Sequence, residues 1–240
     1  METLTREFIL PSNGIFGVQK VTVRPMSTKE EKLIYTSRDQ SYLEKIVKSC
    51  IVEPKDITVN NLHSADITYL LYMIREMTFG PNYSQQMQCP NCNSKQDIEI
   101  DITEMQYNIL DLEDLEKKST IKLPQTGDTI KIKLISHGRI QEIHKLIQTK
   151  ARNEEIDDPE GYEYIYRFAA LISEINGEEV STEKAYQYLD NLNLVDFNEI
   201  KKVLTSIKIG LINTNMRTCK NCGEEVEVIG VTVPEFFRTY

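Results

Sequence analysis

The period of the apolar positions changes several times along the 240-residue chain. Ile67, Leu70, Leu71, Ile74 and Met77 recur every three or four residues, with Tyr69 and Met73 beside them, and predict a helix over 63–78. Gly80 and Pro81 end it. The stripe Ile140, Ile143, Leu146 and Ile147 predicts a helix over 139–151, and Phe197, Ile200, Leu204 and Ile207 predict one over 195–210. An aromatic-rich helix is expected over 160–175, with Tyr162, Tyr164, Tyr166 and Phe168, and a short helix over 182–189. Ser27 and Glu30 form a capping box opening a helix over 28–38, and a second helix covers 42–50. A weaker helical pattern spans 112–118.

Elsewhere the period is two. Residues 8–10 and 17–24 read as strands around the turn Pro11-Ser12-Asn13-Gly14, where Asn-Gly favours positive φ. Residues 121–123 and 129–134 read as a hairpin around Thr126-Gly127-Asp128. The expected fold class is α+β, mainly helical, with short β-hairpins.

Two cysteine pairs interrupt this pattern: Cys89-Pro90-Asn91-Cys92 and Cys219-Lys220-Asn221-Cys222. Each has the C-x-x-C spacing in which a tight turn aims two thiolates at one point, and two such turns supply the four soft ligands of a tetrahedral structural Zn²⁺. The flanks are alike, since both pairs follow an extended approach and precede an alternating strand, 96–102 in one case and 225–229 in the other. They read as halves of one split Cys₄ zinc ribbon, although 126 residues lie between Cys92 and Cys219. A redox C-x-x-C remains open, as do metal-free thiols and zinc shared across subunits; the redox form expects a helix after the first cysteine. The fifth cysteine, Cys50, reads as a small buried residue at a helix end.

The resulting division is an N-terminal hairpin with helices (1–82), two ribbon halves (83–102 and 211–233), a hairpin with helices (103–210) and an aromatic tail (234–240), all within one compact domain or several. The tail carries Phe236, Phe237 and Tyr240, which either dock on the core or form a partner-binding peptide.

Composition removes several classes of function. The net charge of −9 argues against a dominant nucleic-acid surface, although Lys201, Lys202, Lys208, Arg217 and Lys220 are mildly basic. The start, Met1 to Glu7, lacks the apolar stretch of a signal peptide, and no segment approaches 18 apolar residues. The histidines His63, His137 and His144 are not at zincin spacing, and P-loop, dinucleotide and G-x-S-x-G motifs are absent. The adjacent carboxylates Glu30-Glu31, Glu154-Glu155 and Asp157-Asp158 read as solvated faces. No catalytic residue and no small-molecule substrate are expected.

Several stretches together resemble the baseplate hub and hub-assembly proteins of T-even-type, contractile-tailed bacteriophages. These are Leu10-Pro11-Ser12-Asn13-Gly14, then Val21-Thr22-Val23-Arg24 through Thr28 to Glu30-Glu31. The apolar helix ending in Arg75, the segment Phe79-Gly80-Pro81-Asn82-Tyr83 and the first cysteine pair continue the likeness, as do the Thr126-Gly127 hairpin, the second pair and Phe236-Phe237. The resemblance covers most of the chain. It implies a non-enzymatic structural or assembly role (a hub subunit or a chaperone), acting on other hub and tail proteins, in the host cytoplasm during assembly and in the virion baseplate. The alternative from the residues alone is a zinc-ribbon regulator or replication accessory protein that binds nucleic acid. The expected cofactor is one structural zinc on Cys89, Cys92, Cys219 and Cys222, and the expected partner contacts are Phe236, Phe237 and Tyr240.

Overall fold

A computed structural model describes residues 4–36, 42–212 and 215–228. In chain order, it runs β1 (Arg6–Ile9), β2 (Lys20–Val23), α1 (Thr28–Thr36), α2 (Tyr42–Cys50), β3 (Ile51–Glu53), α3 (Ser64–Phe79), β4 (Asn82–Gln88), β5 (Lys95–Asp101) and β6 (Tyr107–Asn108). There follow α4 (Leu112–Lys118), β7 (Thr120–Lys122), β8 (Thr129–Ile132), α5 (His137–Arg152), α6 (Pro159–Leu171), β9 (Ile172–Ile175), β10 (Glu178–Glu179), α7 (Thr182–Asp190), α8 (Leu194–Ser206), β11 (Gly210–Leu211), β12 (Asn215–Thr218) and β13 (Glu225–Val228). The class is α+β. Helices make up under half of the described residues, so the expectation of a mainly helical chain is corrected. The difference arises because short segments pair into small antiparallel sheets, which pairing partners decide rather than local pattern.

The chain forms two compact units. The first draws on Met1–Val59, Ala65–Asn108 and Ile209–Tyr240, the second on Asn60–Ser64 and Ile109–Lys208. In the first unit β1, β2 and β3 form an antiparallel sheet, and Asn13 (φ 52°) and Gly14 (φ 84°) take the left-handed turn that Asn-Gly foretells. Leu10, Val21 and Val23 are buried with Ile46 and Val47 of α2 and Leu70 and Ile74 of α3. Helix α3 is tied to the N-terminal segment at both ends. The buried Asp66 carboxylate accepts from the Ser12 amide at 2.8 Å, and the Thr78 hydroxyl accepts from the Met26 amide at 2.9 Å.

The capping box at α1 is present: Glu30 accepts from the Ser27 amide and hydroxyl at 2.8 and 2.7 Å. Glu31 is exposed as expected, but Glu30 is fully buried, which corrects its assignment to a solvated face. Arg24, six residues earlier, and Ser49, from α2, close over it.

In the same unit β4 pairs with β5, β12 with β13, and β6 with β11. The last of these is a two-residue ladder, Gly210 opposite Asn108 and Leu211 opposite Tyr107. Helix α8 ends at Ser206, short of the expected 210. Gly210 has φ 83°, and a Cβ there would sit 2.7 Å from the Ala65 side chain, so the position demands glycine.

The second unit holds the sheet β10-β9-β8-β7. Ile143 and Ile147 of α5 pack on Tyr166 and Ala170 of α6, and Tyr162 stacks on Tyr186 of α7 with centroids 4.3 Å apart. Each of α5 to α8 starts at a side-chain N-cap: Ser136, Asp158, Ser181 and Asn193. Residues 172–175, expected as the end of a helix, form β9 against β8. Among the described residues, no helix is long and apolar enough to cross a membrane.

Candidate metal centre

Both cysteine pairs sit at the tips of antiparallel hairpins. The seven-residue strands β4 and β5 close with Gln88 opposite Lys95, and β12 and β13 close with Thr218 opposite Glu225. The tips have the same backbone wiring. In the first, the Cys89 amide donates to the Ser94 carbonyl and the Asn93 amide to the Cys89 carbonyl, each at 2.9 Å. In the second, the Cys219 amide donates to Glu224 at 2.8 Å and the Gly223 amide to Cys219 at 2.9 Å. The residue after each second cysteine is left-handed, Asn93 at φ 60° and Gly223 at φ 77°. That reversal turns both thiols of a pair to one side of the hairpin.

The two tips bring the four thiols together. Cys89 and Cys222 place their sulfurs 3.7 Å apart, and Cys92 and Cys219 place theirs 3.6 Å apart, although each partner is more than 120 positions away in the chain. All four sulfurs lie within 4.8 Å of one another. A disulfide needs about 2.05 Å, so these are four free thiols. A tetrahedron with Zn–S bonds of about 2.3 Å has edges of about 3.8 Å, close to the two shortest separations. The donor set and its geometry therefore fit a tetrahedral thiophilic metal. Cys89 and Cys219 are buried, Cys92 is half-buried and Cys222 is exposed.

Polar neighbours complete the cluster. The Ser94 hydroxyl lies 3.1 Å from the Cys92 sulfur and 3.4 Å from the Cys219 sulfur, and Asn91 Nδ2 lies 3.7 Å from the Cys222 sulfur. Hydrogen bonds from Asn221 and Ser94 pull the Cys92 thiol down to about 5, and Ser94 with the knuckle amides pulls Cys219 down. At Cys222 the Glu224 amide acts downward, but burial and the three neighbouring thiols outweigh it and push the group up to about 11. Four thiols this close resist full ionisation unless a cation sits among them.

Other expected or possible sites fall elsewhere. Cys50 is buried at the end of α2, where burial pushes its thiol up to about 12, so it is inert packing. His144 is on the surface, paired with Glu163 at 2.9 Å, and His137 Nδ1 is 3.0 Å from the Ser64 hydroxyl. Phe236, Phe237 and Tyr240 lie outside the described residues. Ser94, Gln96 and Asn91 were not singled out in the sequence. They are ordinary polar residues, and only their closeness in sequence to the first cysteine pair offered a signal.

An α+β chain whose two distant β-hairpin knuckles close one four-thiol cluster able to hold a metal is the class of protein these features define. The family of the T4 bacteriophage base plate protein matches residues 1–238, and the chain belongs to that family. No curated protein and no solved structure gives a significant match.

Proposed function

We propose that this base plate protein is a non-enzymatic structural or assembly component of the tail baseplate hub. It acts through contacts with other hub and tail proteins, with one structural zinc on Cys89, Cys92, Cys219 and Cys222. The observation that carries the reading is the convergence of four thiols from segments 127 positions apart, within a base plate family. Zinc held by four thiolates supplies folding free energy on the order of 10 kcal/mol. Here it would clamp two hairpins whose cysteine pairs are separated by 126 residues of chain. The strands β5 and β13 follow the cysteine pairs, where a redox pair expects a helix. The charge of −9 favours protein partners over nucleic acid.

On this reading residues 83–102 and 211–233 act as the two ribbon halves, and the tail residues Phe236, Phe237 and Tyr240 serve as aromatic anchors in a partner groove. The protein works in the host cytoplasm during assembly and in the virion tail. Quantitative mass spectrometry of purified base plate intermediates and mature particles tests it. The chain is expected with the hub intermediates; its absence from both preparations overturns the assignment.

A further inference from the structure

Gln96, at the second position of β5, reaches across to the other hairpin. Its Oε1 accepts from the Lys220 amide at 2.8 Å, and its Nε2 donates to the Thr218 carbonyl at 3.4 Å. The side-chain amide thus engages the backbone on both sides of Cys219, much as a neighbouring strand would. Neither bond uses a thiol. Gln96 is half-buried and shares a hairpin face with Met87, its cross-strand partner.

Three side chains of the first knuckle reach the second: Asn91 toward Cys222, Ser94 toward Cys219, and Gln96 toward the backbone around Cys219. The second knuckle answers with the Asn221 side chain on Cys92 and otherwise with sulfur and backbone atoms. Over the described residues the first hairpin has seven paired positions and the second four.

We propose that Gln96 is the positioning residue of the four-thiol site. It sets the second knuckle against the first through bonds independent of metal, and so tunes metal affinity from outside the ligand set. This rests on the metal reading above. Groups that orient ligands from the outer shell are worth about 10- to 100-fold in metal affinity.

The test is a titration of the full-length protein with Co²⁺, followed by its thiolate charge-transfer and d–d absorption, and by competition with a chelator. Wild type is expected to show the intense spectrum of a tetrahedral four-thiolate site. Gln96→Met keeps the length and buried surface but loses both bonds. It is expected to give the same spectrum per bound metal with affinity weaker by about 10- to 100-fold. An unchanged affinity overturns the role of Gln96. A wild type without the four-thiolate spectrum sinks the metal reading instead. Hydrogen exchange of the Lys220 amide in metal-stripped wild type gives a reading that needs no variant. Protection supports the latch, and exchange at the free-chain rate overturns it.

Discussion

The Arg24 guanidinium holds the Glu30 carboxylate with two hydrogen bonds, at 2.9 and 3.2 Å, and Glu30 has no exposure to solvent. Burial acts to raise the Glu30 pKa, but Arg24, Ser49 and Ser27 together outweigh it and hold the carboxyl well below its ordinary value of 4.5. Removing one partner of a buried pair strands the other charge. Glu30→Gln should therefore destabilise the protein by about 3 kcal/mol at pH 7 in urea unfolding. The folded state favours the ionised form, so this contribution is full above about pH 4.5 and is lost as the pH falls through the depressed folded value. The gap between wild type and Glu30→Gln should accordingly narrow as unfolding is repeated at pH 4.5 and below; a constant gap counts against the ion pair.

Asp196 does similar work in the second unit. Its buried carboxylate accepts from the amides of Gln125 and Thr126, at 2.8 and 2.9 Å, and so pins the β7–β8 turn to the start of α8. Asp196→Ala strands two amides and should cost about 2 kcal/mol. Asp157→Ala, on an exposed loop, should stay within about 0.5 kcal/mol. Chemical denaturation of both variants makes the comparison.

Metal analysis should find one zinc per chain; zero or two would defeat a shared site. Cys89→Ser and Cys219→Ser should each lower the thermal midpoint by a similar large amount, with losses on the order of 5 kcal/mol. If only one substitution matters, the pairs do not share a metal.

Gly223 and Asn93 occupy equivalent places in the two knuckles, both left-handed. A side chain with a Cβ and no local hydrogen bond costs about 1–2 kcal/mol there, and Asn less. Gly223→Ala should be destabilising by about 1 kcal/mol, and Gly223→Asn should recover most of that loss in thermal melts.

Removal of residues 234–240 should weaken capture of hub intermediates while leaving the circular dichroism and melting of the rest unchanged. Unfolding of the shortened chain would make the tail part of the core.

The helices α2, α3, α5 and α7 are legible within two residues, because each carries an apolar stripe closed by a cap or a breaker. The cysteine knuckles are legible for a chemical reason: two thiols at fixed spacing mean the same thing wherever the chain places them. What escaped is decided by distant partners. Ala169-Ala170-Leu171-Ile172 is one apolar run, and only the pairing of Ile172 with Ile132 ends the helix there. Glu30 looks like its neighbour Glu31 until Arg24 and Ser49 surround it. Gln96 has no signature beyond its place near the first cysteine pair, since its partners are backbone atoms more than 120 positions away.

The two-residue ladder between β6 and β11 sets Asn108 beside Gly210, so the polypeptide leaves the first unit and comes back to it at neighbouring points. Residues 109–208 are in that sense a guest in the host chain. A tight turn spliced from Asn108 to Gly210 would spare both cysteine hairpins and the β1-β2-β3 sheet. Leu62, a buried side chain from the short stretch 60–64 that belongs with the guest, would lose that unit. A chain laid out this way can exchange its insert while keeping both cysteine hairpins.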